Sequence, residues 1–392
     1  MTASGQASWD AAANLLCVRL DALGDVLMTT PAIRALKEGR AGRRVTLLTS
    51  PAGAAIARLV PEIDEVWVYE APWVKATPPL QGPDGDAAMI ERLRAGQFDG
   101  AVIFTVYSQN PLPAAVACYL AGIPRRLAHC RENPYQLLTD WVPEPEPDRI
   151  VRHEARRQLD LVAAIGAATR DERMSLAIPP GIEGVVRRRL VALGVDESAP
   201  FVVIHPGATA SSRRYPAEGF VEAANALVTR HGCQVVFTGG REELDLVRGI
   251  QRAMAARAHS LAGELTLVEL AALLGLAPVL VSNNSGPVHM AAALGTPVVD
   301  IYALTNPQHT PWMTPSRVLF HDVPCRYCYK SACPQGHHDC LRRIPSSAIV
   351  EAAVGLLEGR VGGLETRLPL PDAGARAVDR LREPVAGPET RA

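Results

Sequence analysis

The chain has 392 residues, 48% of them apolar and 21% charged, and its 40 Lys plus Arg against 41 Asp plus Glu leave a net charge of −1. That composition excludes a disordered or fibrous chain, and the missing basic excess excludes a dedicated nucleic-acid binder. At roughly 150 residues per domain, the length predicts two domains.

Residues 1–10 show neither the basic n-region nor the apolar h-region of a secretory signal, so a cytoplasmic location is expected. Strand-like runs at 14–20, 44–49, 65–69 and 100–106 alternate with helical patterns at 25–38, 51–59, 86–95 and 111–121. Strands alternating with helices predict a parallel sheet with crossover helices. The run Pro143-Glu144-Pro145-Glu146-Pro147 then sets prolines against acids, which predicts an extended connector. A second alternation follows, with strands at 201–205, 234–238, 278–282 and 297–302 and helices at 216–230, 242–256, 265–275 and 287–294. Residues 270–299 hold no Asp, Glu, Lys or Arg, but Ser282 to Pro287 break the stretch well short of the ~20 apolar residues of a spanning helix. No transmembrane segment is expected. Two doubly wound domains follow, one over 14–180 and a second over 181–360, with a disordered tail over 365–392.

In such sheets, ligands bind beyond the carboxyl ends of the strands. The first strand-to-helix loop is Asp21-Ala22-Leu23-Gly24-Asp25. Asp25 reads either as a helix cap or as a carboxylate able to take a proton from a substrate hydroxyl. The loop from His205 to Pro216 holds Gly207, Thr209, Ser211, Ser212, Arg213 and Arg214 before a helix that Pro216 would open. Its length, hydroxyls and arginines predict an anion site. A third loop, Asn283-Asn284-Ser285-Gly286-Pro287-Val288-His289, places His289 in a first helical turn, where Ser285 or Asn284 would cap.

Missing motifs narrow the chemistry. No GxGxxG follows the first strand, no Gly-Lys-Ser/Thr is present, and GxSxG is absent, against a dinucleotide oxidoreductase, a P-loop and a nucleophile elbow. His153-Glu154 lacks the second histidine of a zinc protease, and Asp84-Gly85-Asp86 reads as a turn. Cys17, Cys118, Cys130 and Cys233 read as plain thiols. Cys325, Cys328, Cys333 and Cys340 cluster around His337 and His338, a spacing that predicts a structural zinc, with four reduced thiols as the alternative.

Together these segments resemble glycosyltransferase family 9, the lipopolysaccharide heptosyltransferases. The resemblance runs from about Leu15 to Leu357 and rests on Arg19-Leu20-Asp21-Ala22-Leu23-Gly24-Asp25-Val26, His205-Pro206-Gly207-Ala208, Arg213-Arg214-Tyr215-Pro216 and Ser282 to Pro297. Ala121 to Arg126 and the cysteine-rich run ending in Cys340-Leu341 add to it. It implies a GT-B fold of two facing Rossmann-like domains and metal-independent, inverting chemistry, with no cofactor required for catalysis. Asp25 would be the general base. Thr209, Ser212 and Arg213 would meet the donor diphosphate, Glu243 the ribose, and Asn284, Ser285, Gly286, Pro287 and His289 the rest of the donor. Gly24, Ser108 and Gln109 would lie on the acceptor side. The implied partners are a nucleotide-sugar, ADP-heptose by default, and a lipid-linked or core-oligosaccharide acceptor met at the inner face of a membrane. Many members carry Asp in place of Asn284 and Lys in place of Arg213, and the acceptor loop 105–110 has no basic residue. Two other readings of the same fold are a sugar-nucleotide 2-epimerase, which needs no acceptor, and a non-catalytic binding protein, which would have no use for Asp25 and Arg213.

Overall fold

The computed structural model describes residues 9–74, 83–196 and 198–360. The expected tail over 365–392 lies outside them. Among the described residues no helix is long and apolar enough to cross a membrane.

The first half begins β1 (Asn14–Arg19), α1 (Leu23–Glu38), β2 (Arg44–Thr49), α2 (Pro51–Ala57), β3 (Glu65–Val68) and α3 (Asp84–Ala95). It continues with β4 (Gly100–Ile103), α4 (Leu112–Leu120), β5 (Arg126–Cys130), β6 (Asp140–Pro143) and α5 (Glu154–Ala163). The second half holds α6 (Ile182–Ala192), β7 (Phe201–His205), α7 (Ala217–His231), β8 (Gln234–Phe237), α8 (Leu244–Ala253), β9 (His259–Ser260) and α9 (Leu267–Leu276). It ends with β10 (Leu280–Asn283), α10 (Gly286–Leu294), β11 (Val298–Ile301), β12 (Ser316–Leu319), α11 (Asp339–Arg342) and α12 (Ser346–Leu357).

These strands form two six-stranded sheets, ordered β3-β2-β1-β4-β5-β6 and β12-β11-β10-β7-β8-β9. Every recorded pairing is parallel. Both sheets are wound in the same way, and each reverses its strand order once, between β1 and β4 and between β7 and β10. A crevice opens at such a reversal, beyond the carboxyl ends of its two strands. Helices cover both faces, so the central strands are apolar throughout rather than alternating: Leu15 to Val18 and Val202 to Ile204 are almost wholly buried. α1 packs on α5 and on α10, which joins the two halves along the crevices.

Three local expectations change. α1 starts at Leu23, so Asp25 stands at the third helical position and Ala22 is the cap residue; the Asp25 carboxylate accepts the Ala22 N–H (3.2 Å) instead of capping from outside. Asp84-Gly85-Asp86 is the first turn of α3, where two carboxylates favour the positive end of the helix dipole, and Asp86 accepts a bond from the Tyr69 hydroxyl (2.6 Å). The proline–acid connector begins inside β6. That strand is at the sheet edge, where a proline leaves no ladder bond unmade.

Candidate functional site

Arg19 ends β1 with its side chain wholly buried, and its fork of donors gathers three carboxylates. Nε lies 2.9 Å from Asp21 Oδ2, one terminal nitrogen 3.1 Å from Asp25 Oδ1 and the other 2.8 Å from Glu154 Oε1. Glu154 arrives from the start of α5 and also accepts from Gln158 Nε2 (2.7 Å). Burial works against its charge, but Arg19 and Arg157 more than offset that and hold its carboxyl down to about 2. Asp25 fares differently. Burial pushes its carboxyl up, Arg19 only partly opposes this, and the Glu154 charge adds to the rise. Asp21 is raised by the same burial. A buried carboxylate with a raised pKa is suited to accepting a proton.

The loop after β10 stands across the cleft. Gly24 and His289 touch so closely that a Cβ on Gly24 would fall 2.6 Å from His289 Cδ2, and a Cβ on Gly286 would meet Leu23. Glycine is needed at position 24 because the two helix starts meet there. Ser285 is the N-cap residue of α10 by backbone, yet its hydroxyl makes no cap bond. Ser285 Oγ, His289 Nδ1, His309 Nε2 and Asp300 Oδ1 are buried with no hydrogen-bond partner among the described residues. Burial, reinforced by neighbouring histidines and Arg213, keeps His289 neutral; burial holds His309 down to about 4. Arg213 ends a 3-10 turn at Ser211–Arg213, half-buried; its N–H donates to the Ala210 carbonyl (3.0 Å), while its guanidinium makes no ion pair or hydrogen bond among the described residues. Its charge still reaches Asp25, His289, Asp300 and His309 and shifts each of them. A lone cation, neutral imidazoles and an unpaired hydroxyl thus face Asp25, an arrangement able to stabilise an anionic leaving group.

The remaining expected donor residues divide. Thr209 is exposed on the same loop. Ser212 cannot donate to a diphosphate as it stands: its hydroxyl donates to the Lys330 carbonyl (2.8 Å) and its N–H to that of Ser331 (3.0 Å). The Asn284 amide nitrogen is likewise committed, to Asp300 Oδ2 (3.0 Å) and the His309 carbonyl (2.9 Å). Asparagine rather than aspartate fits here because a buried carboxylate already stands opposite. Glu243 sits at the ends of β7 and β8, 3.4 Å from His205 Nε2, against Gly207, where any Cβ would collide with its carboxylate.

On the first sheet, Ser108 and Gln109 line a cavity with Asp21 at the β1/β4 reversal. Gln109 donates from Nε2 to Asp21 and accepts the Val106 N–H (3.2 Å), which closes the loop after β4. The cysteine-rich segment runs beside both loops. Tyr329 packs edge-on against Tyr107 (ring centroids 5.8 Å apart), and Lys330 and Ser331 hold Ser212. Cys325 Sγ lies 3.5 Å from His337 Nε2, yet no three His, Cys, Asp or Glu groups among the described residues are arranged to hold a metal ion. Burial raises the Cys340 thiol, and Cys325, Cys328 and Cys333 all stand near enough to it for their charges to add to that rise.

Sequence reasoning missed Glu154, Asp300 and His309. Only the acid beside His153 and the charge within an apolar strand at Asp300 left any trace in the sequence.

A family model described as glycosyltransferase family 9 (heptosyltransferase) matches residues 87–338. Lipooligosaccharide heptosyltransferase 2 of Campylobacter jejuni is 27% identical over 161 residues, a match spanning 40% of this chain and half the length of that protein. Lipopolysaccharide heptosyltransferase 2 of Salmonella typhimurium is 25% identical over 353 residues, 86% of this chain and 96% of that one. The crystal structure of a family 9 glycosyl transferase from Veillonella parvula superposes with a TM-score of 0.74 at 21% identity, over 88% of this chain and 97% of that one. That likeness shows the two-domain GT-B fold.

Proposed function

Because the chain belongs to glycosyltransferase family 9, we propose that it moves a heptose from a nucleotide-sugar, ADP-heptose by default, onto a hydroxyl of a lipopolysaccharide core or related envelope glycan, with inversion. The relatives named as heptosyltransferases support the sugar and the acceptor class. The observation that carries the mechanism is Asp25, held on Arg19 at the start of α1 and facing Arg213 and His289 from the opposite domain. In a single displacement, the acceptor oxygen attacks the anomeric carbon while its proton passes to Asp25. The bond from that carbon to the diphosphate oxygen breaks, and its electron pair leaves with the nucleoside diphosphate. Arg213 faces the charge that develops there, and the neutral His289 and Ser285 are placed to donate hydrogen bonds.

Asp25→Asn tests this reading. Loss of a general base costs on the order of 10²–10⁴-fold in kcat, with donor affinity unchanged because the base acts on the acceptor. Transfer is followed as nucleoside diphosphate release, and product stereochemistry by NMR. A folded Asp25→Asn variant within a few-fold of the parent would reduce Asp25 to a helix-start carboxylate.

A further inference from the structure

Asp21, which shares Arg19 with Asp25, lines a cavity of about 310 Å³ on the first domain at the β1/β4 reversal. That is at the low end of the roughly 300–1,000 Å³ of small-molecule sites, room for one sugar unit and not for a lipid-bearing core. Its walls are apolar, with Leu20, Ile103, Phe104 and Pro111 among them. Trp73 forms one side and remains 38% exposed, its ring held edge-on to Tyr69 (5.7 Å). An indole held rigidly and left open offers a flat apolar platform of large area.

The polar atoms at the cavity are few. Gln109 is engaged at both ends of its amide, and Asn110 spends Oδ1 on the Leu112 N–H (2.9 Å). Among the described residues, the Ser108 hydroxyl and Asn110 Nδ2 have no protein partner, and Asp21 keeps lone pairs beyond its contacts with Arg19 and Gln109. Asp21 is also the sole ionisable side chain among the described lining residues. Behind it, Arg19 is outnumbered by three carboxylates. Arg131 lies in a separate, smaller cavity on the other side of the 107–111 loop, beside Glu132 and Glu144, with its guanidinium given to the Tyr107 and Glu146 carbonyls. A phosphate or carboxylate in the Trp73 cavity would therefore shed water beside a carboxylate, with no described cation to replace it. A ring bearing only hydroxyls would meet donors, an acceptor and a face to lie on.

We propose that this cavity selects an uncharged terminal sugar of the acceptor, one apolar face against Trp73 and its hydroxyls on Asp21, Ser108 and Asn110, and disfavours phosphorylated or carboxylated units. This rests on the reading of the first domain as the acceptor half of a glycosyltransferase.

Equilibrium binding to the full chain tests it without any donor. The probes are neutral methyl hexosides and heptosides, each beside its own phosphate monoester, titrated by calorimetry. At least one neutral glycoside should bind, about tenfold or more tighter than its phosphate. Trp73→Ala should weaken that binding about tenfold, and Trp73→Phe should keep most of it. Ser108→Arg should narrow or reverse the preference. Phosphates bound equally or more tightly, no neutral glycoside bound, or affinity unchanged in Trp73→Ala would each overturn the proposal. Failure of transfer from ADP-heptose in a separate assay would count against the proposed function and leave the binding result standing.

Discussion

Asp25 and Glu154 compete for one guanidinium, and the outcome sets the basicity of Asp25. Glu154 is held ionised, and its charge raises the Asp25 carboxyl while Arg19 lowers it. Replacing Glu154 by Gln removes that negative charge and leaves Arg19 shared by two carboxylates instead of three, so the Asp25 pKa should fall. The acid limb of the kcat/KM pH profile reports the base of the free enzyme, and in Glu154→Gln it should move to lower pH. Lost packing alone would lower the rate without moving the limb, and an unmoved limb would show that Glu154 does not act on Asp25. Glu154 was not legible in the sequence. Its contact with Arg19 spans 135 residues of chain, and beside His153 it looked like a zinc-protease motif missing its second half. The placing of Asp25 and Arg213 in loops at the cleft was legible because a strand-to-helix loop announces itself locally.

α1 carries Pro31 in its interior, which removes the N–H that would bond the Leu27 carbonyl and would ordinarily cost stability. The Thr30 hydroxyl donates to that carbonyl instead (2.7 Å) and accepts the Ser175 N–H (2.8 Å), both in buried surroundings. Thr30→Val keeps the shape and leaves both groups unsatisfied, so it should destabilise the protein by about 1–3 kcal/mol, read from urea unfolding with activity of the folded fraction retained. A change below the error of that measurement would mean that water or a shift of the helix takes over the two bonds. The strands read correctly from sequence were the apolar ones, such as β1 and β7. β5 and β6 escaped because they look polar. Arg126 is buried in β5 by giving its guanidinium to the Ile123, Gln136 and Leu137 carbonyls, a compensation that exists only once the chain has folded.

At the scale of the molecule, the two similarly wound sheets meet where the loops carrying Gly24 and His289 touch, so the proposed chemistry draws on loops at four strand ends. The cysteine segment is the part least explained by that plan. The spacing of Cys325, Cys328, Cys333 and Cys340 keeps a structural zinc there as a proposal. The zinc proposal predicts about one metal per chain in tag-free protein and a lower Tm after chelation; metal-free protein of full stability would overturn it. Whatever holds the segment, it leans on both the 105–110 and the 205–216 loops, through Tyr329 on Tyr107 and through Lys330 and Ser331 on Ser212. A support shared by the two proposed binding sites offers a route by which one can bias the other, and any such linkage is reciprocal. ADP should therefore change acceptor affinity by the same factor as acceptor changes ADP affinity, and Tyr329→Ala should bring both factors towards one. Equal factors near one in the parent protein would show that the two halves bind independently.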